Sequence, residues 1–239
     1  MAHNFNAMLG RLDDSFQRLS GFSADIAHEL RTPLSNLLTH TQVTLTRPRP
    51  LEDYREALHS NLEELQWMAQ LVNDMLYLAK ADHGLLIPKR EALELAEEAD
   101  LLLEFFVPLA EDAQVKLSRD GNARIEGDRS MLRRALSNLL DNALRFTPTG
   151  GEVRVRIIDQ PKELRLTVEN TGQQIAGDLL PRLFDRFYRA DPARREGSSE
   201  HAGLGLAITQ SIIRAHGGQI HCESEKGWTR FVIELPKED

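Results

Sequence analysis

Residues 22–34 read FSADIAHELRTPL, a run whose apolar side chains recur at helical spacing. Ile26 and Leu30 lie four positions apart, which places them on one face of a helix. The same spacing leaves His28 and Glu29 on the flank of that helix. The run therefore predicts a helix that carries an imidazole and a carboxylate side by side on its flank.

The helical spacing continues far beyond this run. Apolar residues recur every three or four positions over residues 5–45, and a second series of the same kind covers residues 51–79. Residues 47–50 read RPRP and cannot continue a helix, because proline lacks an amide donor and constrains the residue before it. We therefore expect an antiparallel hairpin of two long helices. Because a lone hairpin buries its apolar face poorly, we also expect a homodimer in which two hairpins form a four-helix bundle.

The rest of the chain has shorter elements of both kinds. The patterns predict α-helices over residues 98–112, 129–145 and 203–216 and β-strands over residues 151–158, 163–169, 219–223 and 228–235. Helices on one face of a mixed sheet make this part an α+β sandwich. We expect the hairpin to cover residues 21–83, a hinge linker to cover residues 84–90 and the sandwich to cover residues 91–239.

Composition excludes several classes of protein. The 239 residues carry 29 Lys and Arg against 37 Asp and Glu, and this net charge of −8 disfavours wrapping around nucleic acid. Cys222 is the single cysteine of the sequence, which excludes a disulfide framework and a cysteine-based zinc site. No apolar stretch approaches the roughly 18 residues that a membrane span requires.

His28 is the first candidate for chemistry. A neutral imidazole is a competent nucleophile, and an adjacent carboxylate such as Glu29 can accept the proton of one ring nitrogen while the other attacks phosphorus. Thr32 lies one turn further along, where its hydroxyl can orient a water molecule. Spacing alone leaves open the more ordinary alternative, a solvated surface histidine without a role.

Residues 22–34 as a whole resemble the H box, the phospho-accepting segment of sensor histidine kinases. The resemblance implies that His28 is autophosphorylated, that Glu29 is its acid/base partner and that Thr32 assists dephosphorylation of a response regulator. Residues 1–20 resemble the end of a HAMP signalling helix that leads into this box. The resemblance also implies that the natural protein continues upstream through a bacterial inner membrane and that this chain is its cytoplasmic portion.

Residues 138–147 read NLLDNALRFT and supply a second candidate site. Asn138 and Asn142 lie one turn apart on one helical face, and amide oxygens suit Mg²⁺, which prefers hard oxygen ligands. Taken alone, two such asparagines are more often caps or surface residues. The run resembles the N box of the same kinases, which implies that Asn142 holds the metal and that Asn138 supports it. It further implies that Arg145 reaches toward phosphate and that Phe146 lies against the nucleotide.

Residues 168–175 read VENTGQQI at the end of a predicted strand and resemble the G1 box. The resemblance implies nucleotide contacts at Asn170, Gly172 and Ile175. Asn170 stands where the family usually has an aspartate that reads the adenine amino group, and Gln174 stands where it usually has a second glycine. An asparagine oxygen can still accept a hydrogen bond from that amine. Both departures resemble the heavy-metal sensor branch of the family.

Residues 181–189 read PRLFDRFYR and resemble the F box, which implies that Phe187 belongs to the nucleotide pocket. Residues 203–208 read GLGLAI and open a predicted helix, where amide donors can cradle phosphate oxygens. This run resembles the G2 box and implies nucleotide contacts at Gly203, Leu204, Gly205 and Leu206. Residues 189–202 are polar and without periodicity, as expected of a closing lid, although His201 stands where a glycine is common.

Together the boxes imply an ATP-dependent protein histidine kinase of a two-component system, with ATP and Mg²⁺ bound in a Bergerat-type (GHKL) sandwich. It would autophosphorylate His28 and pass the phosphoryl group to an aspartate of a response regulator receiver domain. We expect phosphatase activity as well, within metal-responsive signalling. Two alternatives stay open. One is a dimeric phosphatase or interaction module with weak ATP binding, favoured by Asn170, Gln174 and His201; the other is a different ATPase of the same superfamily.

Overall fold

The computed structural model describes residues 26–189 and 203–237. Contacts divide the chain into two compact units, Met1–Asn73 and Asp74–Asp239. The described part of the first unit is helical, and the second unit contains the sheets. Several predicted features lie outside the described residues, namely the helix over residues 1–25 with its HAMP-like segment, and residues 190–202 of the predicted lid with His201.

The first unit contains a helical hairpin. Helix α1 covers residues 26–45 and helix α2 covers Leu51–Asp82, so the RPRP motif lies in the connection, as predicted. Across the hairpin, Asn61 of α2 donates from Nδ2 to Oγ1 of Thr41 at 2.9 Å. Among the helices that the structure describes, none is both long and apolar enough to cross a membrane.

The second unit alternates strands and helices. Its strands are β1 (Glu91–Glu94), β2 (Lys116–Asp120), β3 (Arg124–Gly127), β4 (Glu152–Asp159), β5 (Glu163–Thr171), β6 (Gln219–Glu225) and β7 (Trp228–Pro236). Its helices, beyond the end of α2, are α3 (Leu95–Asp112), α4 (Arg129–Phe146) and α5 (Gly205–Ala215), with a 3₁₀ turn at Leu180–Phe184. The main sheet has the order β2-β4-β5-β7-β6, and β1 pairs with β3 in a separate ribbon. Strands β2 and β4 pair in parallel, and the other neighbours pair antiparallel.

The three helices cover one face of the main sheet. Strands β4 and β5 alternate as predicted, with the buried side chains Val153, Val155, Ile157, Leu164, Leu166 and Val168. A small apolar cavity lies where α3, α4 and α5 meet β5 and β7, and its lining includes Leu95, Leu136, Ile213, Leu166 and Ile233. All three helices therefore share one core with the sheet, which confirms the α+β sandwich.

Strand β6 forms one edge of the main sheet and carries Cys222. The side chain is half-buried. Burial, assisted by the neighbouring carboxylate of Glu223, raises the pKa of the Cys222 thiol to about 12. The thiol is therefore protonated at neutral pH.

Three strands and the starts of helices α3 and α5 differ from the sequence prediction; α5 begins at Gly205 and not at residue 203. Strands β1, β2 and β3 were not predicted, because they have four or five residues each and are too short for alternation to be recognised. Helix α3 begins at Leu95 and not at residue 98. Its first amides are satisfied from a distant loop, since Leu95 donates its N–H to the Ala123 carbonyl at 3.0 Å and Ala96 donates to Oδ1 of Asn122 at 3.1 Å.

The end of α2 belongs to the second unit and is tied to it by polar contacts. Arg134 of α4 lies 4.4 Å from the ring centroid of Tyr77 and pairs with Asp74. At the last residue of the helix, Asp82 accepts a hydrogen bond from Arg186 at 2.6 Å. Gly84 then ends the helix with a φ of +65°, a left-handed conformation that suits glycine.

Asp128, which precedes α4, joins three segments of the second unit. Its carboxylate accepts hydrogen bonds from the Met131 N–H at the start of α4 and from the Lys89 N–H of the linker. Its own N–H donates to Nε2 of His216 at 3.0 Å, just beyond the end of α5. Although burial raises the pKa of Asp128, hydrogen bonds from Ser130 and these amides hold it below its usual value. The carboxylate is therefore ionised and holds the linker and α4 together.

His216 makes the stability of this junction dependent on pH. The ring is 5% exposed, and burial lowers its pKa below the usual value, with nearby Arg90 acting in the same direction and the Ile212 carbonyl and Asp128 opposing it. The imidazole of His216 binds a proton more tightly in the unfolded chain, where its pKa is about 6.5, than in the folded protein. The contribution of the neutral ring to the free energy of unfolding is therefore complete above about pH 6.5 and is lost as the pH falls through the lower pKa of the folded state. We expect the free energy of unfolding, measured with urea, to decrease between pH 7 and pH 5.

The His216→Gln variant tests this assignment. It should be less stable at pH 7.5 by about 1 kcal/mol, because the hydrogen bonds of the ring are lost, and its stability should change less between pH 7 and pH 5. His221→Gln is the matched control, because His221 is exposed on β6, and it should keep the wild-type pH dependence. A pH dependence that is equally steep in His216→Gln would contradict the assignment.

Candidate functional site

The first group of candidate residues lies on α1 in the first unit. Residues 26–45 are helical throughout, and the ring of His28 is exposed to solvent. Glu29, the next residue, is half-buried, and Thr32 one turn later is exposed. The H-box side chains therefore lie as the helical spacing predicts, with a solvent-accessible imidazole beside a carboxylate.

The second group lies in the second unit, on α4. Asn142 is half-buried, and no residue in the described part of the chain hydrogen-bonds its carboxamide. One turn earlier, Asn138 donates from Nδ2 to the Gly205 carbonyl at 3.0 Å. Asn138 is therefore bound to the first residue of α5, whereas the amide oxygen of Asn142 has no hydrogen-bond partner among residues 26–189 and 203–237. An uncommitted amide oxygen is a ligand that fits Mg²⁺.

The end of α4 and the loop after β5 approach each other closely. The guanidinium of Arg145 lies 5.0 Å from the ring centroid of Phe146, and that ring is 43% exposed. A Cβ atom at Gly172 would lie 2.9 Å from the Phe146 carbonyl oxygen, closer than real Cβ contacts. Glycine at 172 thus allows the two boxes to lie side by side, and the exposed Phe146 ring is left at their junction.

Asn170 lies near the end of β5 with a 3% exposed side chain. Its Nδ2 donates to the Thr171 carbonyl at 3.1 Å, and this bond orients the carboxamide so that Oδ1 is left as an acceptor. Beyond it, Gly172 donates its N–H to the Gly227 carbonyl at 3.0 Å, and Ile175 donates to the Ser224 hydroxyl at 2.9 Å. These bonds anchor the G1 segment to the end of the sheet, at the hairpin of β6 and β7.

Phe187 and Gly203 meet at the base of the predicted lid. The Phe187 N–H donates to the Gly203 carbonyl at 3.1 Å, and both residues have left-handed backbones, with φ of 60° and 72°. A Cβ atom at Gly203 would lie 3.0 Å from the carbonyl carbon of Phe187. Glycine is therefore required at 203 by conformation and by space.

Helix α5 begins immediately after this contact. Leu204 is 2% exposed and precedes the helix without a side-chain hydrogen bond to its first amides. Gly205 is the first helical residue, and Leu206 after it is half-buried. Leu204 thus gives no side-chain cap to the first amides of α5, at the helix end that carries partial positive charge.

An aromatic side chain of the F box also packs against the sheet. Phe184 contacts Phe231 of β7 edge to face, with ring centroids 6.2 Å apart. Arg182 lies 4.5 Å from the ring centroid of Tyr188, close to Phe187 in sequence. These aromatic contacts hold the segment that leads to the predicted lid.

Contacts link the N, G1, F and G2 boxes within the second unit: Asn138 with Gly205, Gly172 with Phe146, and Phe187 with Gly203. The H-box residues belong to the other unit. Sequence reasoning missed Thr209, which contacts both Asn138 and Gly205. Its position four residues after Gly205 was visible, but threonine inside a helix is too common to be a signal.

Two family descriptions match the chain. Residues 18–84 match the His Kinase A (phospho-acceptor) domain, and residues 127–239 match the histidine kinase-, DNA gyrase B- and HSP90-like ATPase family. The sensor histidine kinase CusS of Escherichia coli K12 is 50% identical over 234 residues, which are 98% of this chain and 48% of CusS. The chain thus spans about half the length of the curated relatives it matches.

Solved structures show the same fold. The Acinetobacter baumannii histidine kinase AdeS covers 89% of this chain with a TM-score of 0.73 and 23% identity, over 98% of the AdeS chain. The histidine kinase ThkA, solved in complex with the response regulator protein TrrA, covers 93% of this chain and 64% of its own, with a TM-score of 0.75 and 23% identity. The resemblance based on the sequence boxes is confirmed: the chain belongs to the sensor histidine kinase family.

Proposed function

We propose that this chain is the ATP-dependent catalytic portion of a protein histidine kinase, which autophosphorylates His28 and passes the phosphoryl group to an aspartate of a response regulator. The observation that carries the proposal is the combination of an exposed imidazole on a hairpin with a set of nucleotide-box residues joined by contacts in the second unit. Neither group alone distinguishes a kinase from an ATPase or from an interaction module.

The second unit would recognise the adenine ring and its phosphates at opposite ends of the site. At the end of β5, Oδ1 of Asn170 would accept a hydrogen bond from the exocyclic amine, and the exposed ring of Phe146 would pack on the nucleotide. Gly172 and Ile175 would line the same end. At the start of α5, the uncapped amides from Gly203 to Leu206 would bind phosphate oxygens.

Asn142 is the residue that would hold Mg²⁺ beside the phosphates, because its amide oxygen has no partner in the described structure. Bound Mg²⁺ neutralises charge on the phosphate oxygens. Asn138 supports this region through its bond to Gly205, and Arg145 at the end of α4 would add positive charge.

In the phosphoryl transfer, one ring nitrogen of His28 forms a bond to the γ-phosphorus while the bond from that phosphorus to ADP breaks. Glu29 accepts the proton from the other ring nitrogen, which increases the nucleophilicity of the imidazole. Such transfers depend chiefly on positioning and charge neutralisation. In the dephosphorylation of the response regulator, the exposed hydroxyl of Thr32 would orient the water that hydrolyses the phosphorylated aspartate.

A homodimer would cover the apolar surface of the hairpin. Large apolar side chains are exposed on both helices, including Leu34, Leu38 and Val43 on α1 and Leu58, Leu62 and Leu65 on α2. An apolar surface of this size marks an interface, and a second copy would bury it in a four-helix bundle. The ThkA complex with TrrA supports a response regulator as the further partner.

The localisation and the signal are part of the same proposal. We propose that this chain acts as the cytoplasmic portion of an inner-membrane sensor, as the resemblance of its boxes to those of sensor histidine kinases implies. The residues at 170 and 174 in the G1 box support metal-responsive signalling, because they resemble the heavy-metal sensor branch of the family.

Incubation with γ-labelled ATP and Mg²⁺ tests the proposal. We expect the chain to become labelled through a bond that is labile in acid and stable in base, and we expect the label to move to a receiver domain that is added afterwards. Rapid ATP hydrolysis without labelling of the chain would favour a different ATPase of the superfamily. Absence of ATP binding at millimolar concentration would favour the interaction or phosphatase module.

A further inference from the structure

Thr209 lies on the second turn of α5, and its side chain is fully buried at 0% exposure. Its hydroxyl donates to the Gly205 carbonyl at 2.9 Å. Asn138, from the neighbouring helix α4, donates from Nδ2 to the same carbonyl at 3.0 Å and lies 3.4 Å from the hydroxyl oxygen of Thr209. Two side chains from two helices therefore converge on one backbone oxygen.

A threonine that bonds the carbonyl four residues earlier is common in helices and needs no special role. Two observations go beyond that pattern. The carbonyl belongs to Gly205, the first residue of α5, and a second donor reaches it from α4. A valine would fill the same apolar space without a buried hydroxyl that must be hydrogen-bonded, so packing alone does not require threonine here.

The geometry of the peptide bond connects this carbonyl to the nucleotide site. The Gly205 carbonyl and the Leu206 N–H belong to one planar trans peptide, in which they point in opposite directions. Fixing the direction of the carbonyl therefore fixes the direction of the N–H. That N–H is among the first amides of α5, to which the N-cap residue Leu204 offers no side-chain cap.

We propose that Thr209 is a positioning residue for the nucleotide phosphates, which acts with Asn138 by clamping the Gly205 carbonyl and so aiming the Leu206 N–H toward a phosphate oxygen. The proposal rests on the proposed function, because it assumes that the start of α5 binds a triphosphate. It assigns to Thr209 no contact with the nucleotide itself.

The test compares Thr209→Val, which removes the hydroxyl at nearly constant shape, with Thr209→Ser, which keeps it. Calorimetry would measure the affinity of the full chain for a non-hydrolysable ATP analogue with Mg²⁺, and an NMR titration would measure the affinity for adenosine. We expect Thr209→Val to bind the analogue about 5- to 10-fold more weakly, as for the loss of one hydrogen bond, with adenosine affinity unchanged. Thr209→Ser should retain wild-type affinity for both.

A double-mutant cycle with Asn138→Ala gives a second measurement. Because both side chains act on one carbonyl, their losses of analogue affinity should be less than additive, whereas independent roles would give additive losses. Equal weakening of the analogue and of adenosine by Thr209→Val, or no weakening of either, would overturn the positioning role. Wild-type protein that binds no triphosphate would instead overturn the proposed function, and the inference with it.

Discussion

We expect that replacing His28 with Gln abolishes labelling of the chain by γ-labelled ATP. Glutamine keeps a polar side chain of similar size on the exposed flank of α1, but it has no nitrogen that can attack phosphorus. The rate of labelling should fall by more than about 100-fold, down to the background of the assay. Water that attacks the γ-phosphorus in place of the imidazole releases free phosphate and leaves no label on the chain. The measurement is the rate of incorporation of the label at saturating Mg²⁺ and ATP.

His40→Gln is the matched control. His40 is a second exposed histidine on the same helix, and its ring makes a 3.5 Å contact with Asn61 that glutamine can replace. This variant should be labelled at the wild-type rate. His28→Gln should also unfold at the wild-type urea concentration, because the ring is exposed, which separates lost chemistry from lost folding. Acid-labile label that persists in His28→Gln would show that another residue is the acceptor.

Gly203→Ala is expected to reduce the second-order rate constant for self-labelling, kcat/KM for ATP, by about 100-fold, since small displacements of positioning groups cost that much. The methyl group would lie 3.0 Å from the Phe187 carbonyl carbon and 3.1 Å from its Cα atom. Both are backbone atoms, so the chain must shift and the hydrogen bond from the Phe187 N–H to the Gly203 carbonyl is disturbed. This shift displaces the start of α5, where we place the phosphates.

Gly150→Ala separates this clash from the general cost of alanine in a left-handed backbone. Gly150 has a φ of +79°, close to the +72° of Gly203, but a Cβ atom there would meet nothing within 4 Å. Both variants should lose about 1 kcal/mol of unfolding free energy from the backbone conformation. Gly150→Ala should keep wild-type kcat/KM, and equal kinetic losses in the two variants would show that the contact at Phe187 has no role in the site.

The elements that sequence reasoning predicted well are those with long periodic patterns. The second apolar series predicted α2 to within a few residues of Leu51–Asp82, and alternation located β4 and β5. The short strands β1 and β3 were missed, because they are stabilised by pairing with each other across an intervening helix and not by a local pattern. The start of α3 was missed for the same reason, since its caps come from residues 122 and 123.

At the candidate site, too, local sequence patterns did not predict contacts between distant parts of the chain. The boxes identified which residues carry chemistry, because particular side chains in a fixed order are visible in a sequence. Which atom each side chain bonds was not visible. The spacing of Asn138 and Asn142 predicted a shared face, but the bond from Asn138 to Gly205 depends on how α4 packs against α5. The junction of Asp128 with His216 joins residues far apart in the chain and left no local signal.

The half-buried thiol on the edge strand β6 has a practical consequence for studies of motion. Maleimide and iodoacetamide dyes react with the thiolate, and the raised pKa of Cys222 keeps that form scarce at about pH 8. A cysteine introduced at a solvent-exposed position such as Ser35 would carry more thiolate and would react faster. Fluorophores or spin labels can therefore be attached at chosen points while the native cysteine is left in place.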